Sequence, residues 1–136
     1  AAVSSAFVDA LDVGKALAPV IPSTGIASGA MSEPLEVAAH LINANLGFRI
    51  INIGWGDFDS HAGQASMQGQ RMLDLDEGIR RFYEVLAPEW ADRVTIMTFS
   101  EFGRTSWANS SGGTDHGAAA PMFVIGKQPR FGLPDR

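Results

Sequence analysis

Residues 48–61 read Phe48-Arg49-Ile50-Ile51-Asn52-Ile53-Gly54-Trp55-Gly56-Asp57-Phe58-Asp59-Ser60-His61. The first six are rich in β-branched and aromatic side chains, the composition of a short strand. The chain then turns polar and stays so through Ser66. Open α/β sheets place their sites just beyond the carboxyl ends of strands. A strand that runs straight into Asp, Ser and His therefore suggests such a site.

The same pattern recurs downstream. Arg93-Val94-Thr95-Ile96-Met97-Thr98-Phe99 is apolar on both faces, which suits a central, covered strand of a parallel sheet. It leads into Ser100-Glu101-Phe102-Gly103-Arg104-Thr105 and a polar loop of about twenty residues. Loops of that length are usually functional or disordered. Pro121–Gly126 reads as a third strand, preceded by Gly113-Thr114-Asp115-His116-Gly117.

Helices fill the intervals. Phe7, Val8, Leu11, Ala16 and Ala18 predict a helix over residues 5–18, ended by Pro19 and Pro22. Ser32 is placed to cap a second helix, with Glu33 and Pro34 in its first turn and Gly47 at its end. Leu35, Ala38, Ala39, Ile42 and Leu46 give that helix its apolar spacing. Met72, Leu75, Ile79, Phe82 and Leu86 draw one stripe along a third helix over residues 67–86, closed by Pro88. Helices alternating with strands predict an α/β fold, a mostly parallel sheet flanked by helices, in a single region spanning residues 1–136.

Composition limits what this region does. With 46% hydrophobic and 18% charged residues, the chain can bury a core. A formal net charge of -5 lacks the basic footprint a nucleic-acid partner requires. No apolar run is long enough to span a bilayer. The absence of cysteine excludes disulfides and thiolate metal sites. The start Ala1-Ala2-Val3-Ser4-Ser5 is not an intact signal peptide and reads as a cut inside a longer chain. The end, Phe131–Arg136, likewise reads as open.

Two of the three histidines, His61 and His116, fall in the polar clusters, each near an Asp. Imidazole and carboxylate donors without thiolate suit a divalent ion such as zinc or manganese. Asp59, His61, Asp115 and His116 are the candidate ligands, with Asp57 a rival to Asp59. Glu101 and Arg104 are candidate catalytic residues, Arg104 as a bidentate partner for an anionic group. The plainer readings are an Asp115 turn, a capping Glu101, a surface ion pair at Arg104, and histidines that only pin a long loop. His40, inside the second helix, reads as structural, while Trp55 and Trp107 suit pocket walls and packing equally.

GDFDSHAGQ at 56–64, VTIMTFSEFGRT at 94–105 and GTDHGAAAPMFVIG at 113–126 together resemble the domain-of-unknown-function 1501 family, in the family's order. The resemblance covers essentially the whole chain but only the C-terminal part of the longer family members. It implies an alkaline-phosphatase-like C-terminal portion, within the alkaline phosphatase and sulfatase superfamily. It also implies export to the periplasm or beyond, and a missing N-terminal part that carries the nucleophile. Carried over by position, Asp59, His61 and His116 resemble the ligands of one metal. The place of an adjacent Asp-His for a second metal reads Glu101-Phe102, whose phenyl ring cannot bind an ion. The implied function is a metal-dependent hydrolase-like protein acting on a small phosphate or sulfate ester. The alternative is a non-catalytic exported binding or surface protein that keeps the fold.

Overall fold

A computed structural model of the chain describes residues 14–127. The predicted first helix lies mostly outside these residues, although 14–17 are helical, and the C-terminal end at 131–136 lies outside them altogether. The chain divides into two compact units. One runs to Trp55 and includes Asp74–Ala87; the other comprises Gly56–Leu73 and the chain from Pro88 onward.

The first unit contains the apolar core. Helix α1 (Ser32–Asn43) buries Leu35, Ala38 and Ala39, positions three and four apart that share one face. It starts one residue earlier than the sequence suggests: Met31 occupies the cap position, and Ser32 is already helical and buried. It also ends earlier. Asn45, with φ 50, makes a first left-handed turn, and its amide donates to the carbonyl of Ile42; Gly47 follows with φ 84.

Helix α2 (Gln64–Val85) begins in the second unit and ends in the first. Its stripe is real: Leu75 and Phe82 are buried, as is Leu86 just beyond it. Burying a side chain of Phe82's size contributes roughly 2–3 kcal/mol. Gly78 lies where the helices meet. A Cβ there would stand 2.8 Å from Met31 Cβ and 2.9 Å from the Met31 carbonyl carbon. Asn43 closes the far end, donating from Nδ2 to the Val85 carbonyl and accepting the Ala87 amide at Oδ1, both at 2.8 Å. It thereby satisfies a carbonyl that the end of α2 leaves without a helical partner.

One charge is buried among these apolar groups. Glu36 is only 2% exposed. Arg81 grips it with two bonds, Nε to Oε2 at 2.7 Å and Nη2 to Oε1 at 2.6 Å. The Ala27 amide donates to Oε2 at 2.8 Å, and His40 Nε2 lies 3.8 Å from Oε1. The Arg81 bonds outweigh the cost of burial and lower the Glu36 pKa to about 2. His40 thus has a structural place on α1, as expected from its position.

The second unit holds a short helix α3 (Pro88–Ala91) and four two-residue strands. They are β1 (Ile96–Met97), β2 (Gly103–Arg104), β3 (His116–Gly117) and β4 (Val124–Ile125). β1 pairs antiparallel with β4, placing Ile96 opposite Ile125 and Met97 opposite Val124. β2 pairs antiparallel with β3, placing Arg104 opposite His116.

This architecture corrects the expected fold. The described residues contain two small antiparallel sheets and no parallel sheet flanked by helices, so the alkaline-phosphatase-like portion expected from the resemblance is not present in them. Residues 48–53 enter no ladder, and Ile50 is 86% exposed. The physical reason is that an apolar run specifies that its side chains favour burial, not which backbone pairs with it or in which direction. The connection from β1 to β4 is long enough to return a strand in either direction, and the folded chain brings β4 back antiparallel to β1. No helix among the described residues is long and apolar enough to cross a membrane.

Three outcomes follow for the first unit. The Glu36 pKa lies below its ordinary value of 4.5, so its contribution is complete above about pH 4.5 and is lost as the pH falls toward 2. Glu36→Gln should flatten that acid limb in denaturant melts. Arg81→Met should cost about 3 kcal/mol by leaving the carboxylate buried without its partner. Gly78→Ala should destabilise by about 1–3 kcal/mol despite alanine's better helix propensity, because Met31 backbone blocks the new methyl.

Candidate metal centre

The site lies wholly within the second unit and is assembled from three segments. Residues 57–61 arrive as an extended loop, in which Asp57 adopts a left-handed backbone, φ 65. Its carboxylate lies 3.3 Å from Arg71 Nη2, so Asp57 faces α2 and its rival Asp59 faces the histidines. The β2–β3 ladder supplies Arg104 and His116 side by side. Its backbones approach closely because Gly103 and Gly117 face each other across it; a Cβ on Gly103 would stand 2.4 Å from the Gly117 carbonyl oxygen. The loop between β2 and β3 docks on the first segment through Gly63 N to Ser111 O at 3.2 Å and Gln64 N to Gly112 O at 3.0 Å. Thr114 Oγ1 adds a bond to Gln64 Oε1 at 2.8 Å.

One oxygen is the focus. Asp59 Oδ1 lies 2.8 Å from His116 Nε2, 3.0 Å from His61 Nε2 and 2.9 Å from Arg104 Nη2. The far side of the His61 ring is also held, with Nδ1 3.0 Å from Asp115 Oδ1. The hydrogen bond from His116 lowers the Asp59 pKa, helped by the charge of Arg104. The bond with His61, then that with Asn109, lowers the Asp115 pKa. Asp59, His61, Asp115 and His116 remain about half exposed, so solvent screens the pairings among them and each contributes little to stability by itself.

The rings are stacked. His61 and His116 have centroids 5.2 Å apart and planes 28° apart. Phe102 lies against His116, 4.7 Å away and inclined by only 12°. The phenyl group that cannot ligate an ion thus sets the tilt of an imidazole that can. Arg104 Cζ rests 5.1 Å from the centre of the Phe102 ring.

Of the residues singled out in the sequence, Asp59, His61 and His116 come together, each offering a ligand atom within 4.8 Å of the others. Asp115 touches the group through His61. Arg104 donates from Nη1 to the Thr114 carbonyl at 2.8 Å and from Nη2 to the Phe58 carbonyl at 2.7 Å, besides its bond to Asp59. Its terminal nitrogens are therefore turned toward the protein. Glu101 is exposed and outside the three-residue group. Trp107 is 70% exposed. A separate cleft of about 350 Å³ in the first unit, lined by Val37, Leu41, Ile51 and Ile53 among others, is apolar and has no cluster of ligating groups.

Asn109 is a site residue that sequence reasoning missed, and Phe102, read there only as a ring that cannot bind an ion, is found stacked on His116. Asn ahead of Ser-Ser-Gly-Gly signals a turn, but not which histidine the turn touches.

The donor set fits a divalent ion. Two imidazole nitrogens and one carboxylate oxygen, with no sulfur, match zinc or manganese chemistry, and an ion among them would replace the present hydrogen bonds to Asp59 Oδ1. In carbon-detected NMR, Asp59 should titrate below the usual aspartate range. His116→Ala should move that titration upward more than Arg104→Met does, because the His116 bond is the largest cause of the shift.

Compared with known proteins, residues 2–129 match the family described as Protein of unknown function (DUF1501). No curated protein and no solved structure matches the chain.

Proposed function

The chain belongs to the DUF1501 family, and from that premise we propose that it forms the metal-binding portion of a hydrolase-like protein acting on a small phosphate or sulfate ester. The observation carrying this reading is the convergence of Asp59, His61 and His116, three ligand types suited to one zinc or manganese ion, at an open surface. Placement in the alkaline phosphatase and sulfatase superfamily, and export from the cytoplasm, are what the family resemblance implies.

Each residue has a task in this reading. Asp59, His61 and His116 hold the ion. Asp115 fixes the His61 ring through Nδ1, leaving Nε2 to face the ion, as carboxylates behind ligating histidines do. Arg104 holds Asp59 and ties it to the carbonyls of Phe58 and Thr114. Bound there, the ion supplies Lewis acidity toward an ester oxygen or an activated water. Two carboxylates, one guanidinium and a divalent ion leave a net positive site, which favours an anionic ester.

A second reading is a non-catalytic exported binding protein. It is favoured by the inward engagement of Arg104 and by Phe102, which stacks where a further ligand is expected.

Elemental analysis of protein dialysed against zinc or manganese should find about one ion per chain, and His61→Ala should abolish it. Binding should weaken on acidification, because the ion competes with protons for its ligands. Wild-type protein that retains no metal would sink the proposal. Turnover of aryl phosphates or sulfates that disappears with chelator would support the hydrolase; a metal-loaded protein with no turnover across that panel would favour the binding protein.

A further inference from the structure

Asn109 uses both ends of its side-chain amide. Nδ2 donates to the His61 carbonyl at 2.9 Å and to Asp115 Oδ1 at 3.0 Å. Oδ1 accepts the Ser111 and Gly113 amides, each at 3.0 Å. Both donor hydrogens and both acceptor directions of the amide are therefore occupied. Its backbone closes the same loop, with Asn109 N to Gly113 O at 2.8 Å and Gly112 N to Asn109 O at 3.3 Å.

These contacts divide by function. The acceptor end shapes residues 109–113 and would serve any loop. The donor end reaches the two groups that fix the orientation of His61: its own main chain, and the carboxylate oxygen facing its Nδ1. Asp115 Oδ1 is thus held from two sides and cannot rotate away from the ring without breaking the Asn109 bond.

We propose that Asn109 is a positioning residue of the metal centre, holding Asp115 and the His61 backbone together so that His61 Nε2 points at the ion. The inference rests on the metal reading above. It assigns Asn109 a role through His61, with no contact to the ion. Carboxylates behind ligating histidines change metal affinity about 10- to 100-fold when lost, and Asn109 acts one bond further out, through such a carboxylate.

The test compares two substitutions in the full chain. Asn109→Asp keeps an oxygen for the Ser111 and Gly113 amides, but removes both donors and sets a negative charge against Asp115. Asn109→Ala removes the loop-closing acceptor as well. Zinc affinity is measured by competition with a chromogenic chelator, and folding by circular dichroism. Both variants should bind zinc more weakly, by about tenfold or more. A residue that only closes the loop would weaken binding in Asn109→Ala alone. Folded Asn109→Asp binding zinc within twofold of wild type would overturn the proposal. Asn109→Ser keeps one acceptor for the loop but cannot span His61 and Asp115, and serves the same comparison should the aspartate variant not fold.

Wild-type protein that binds no zinc removes the metal reading separately. The positioning of His61 is then judged by nitrogen-edited NMR of its imidazole. A changed Nδ1 signature in Asn109→Asp supports the inference, and an unchanged one overturns it.

Discussion

Asp59 Oδ1 meets nitrogens on three sides, hydrogen-bonded to Arg104 and His116 and 3.0 Å from His61 Nε2, and the second unit is organised around that convergence. Arg104 approaches from β2, His116 from β3 and His61 from the loop before α2. The imidazole pairings are individually weak, because Asp59, His61 and His116 are about half exposed and screened, whereas the Arg104 side chain is only 14% exposed. Their force lies in geometry: a single oxygen can lie beside all three nitrogens only if the three segments hold a definite register. The β2–β3 pairing provides it by setting Arg104 opposite His116. The same arrangement places two imidazole nitrogens beside a carboxylate, donor types that suit a divalent ion. The contacts that assemble the unit and those that would bind a metal are the same contacts.

The two units solve the problem of stability differently. The first buries Leu35, Ala39, Leu75 and Phe82, and within that core the Glu36–Arg81 pair satisfies its own charge with two parallel bonds. The second has few buried side chains, Ser60 among them, and relies on hydrogen bonds between loop segments. Met97, Phe99 and Met122 remain exposed in it. An open polar network can rearrange around a ligand more readily than a packed core, since local opening is easiest where few apolar contacts must be broken.

Phe102 shows how a substitution in a motif is read twice. In sequence it marks a place where a histidine is expected and an ion cannot be held. In the structure its ring lies nearly parallel to that of His116, so the same side chain packs against one of the two clustered imidazoles. Arg104 changes in a similar way. Its residue type suggested an anion clamp, whereas its terminal nitrogens bind Asp59 and two carbonyls of the protein.

The sequence by itself determined the helices and the identity of the metal-capable residues. Helical periodicity is local, so Leu35, Ala38 and Ala39 on α1, and Leu75 and Phe82 on α2, were legible from spacing alone. Asp59, His61 and His116 were legible because few side chains can ligate an ion and these stood in polar, glycine-bearing stretches. Tertiary structure alone decided the sheets, because strand direction depends on where the chain returns, and residues 48–53, apolar as they are, gained no ladder partner. It also chose Asp59 over Asp57, by turning Asp57 through a left-handed backbone toward Arg71. Finally, it brought Asn109 to His61, two residues 48 positions apart in the chain. Separation of that kind leaves no local pattern to read, and only the folded loop makes the bond.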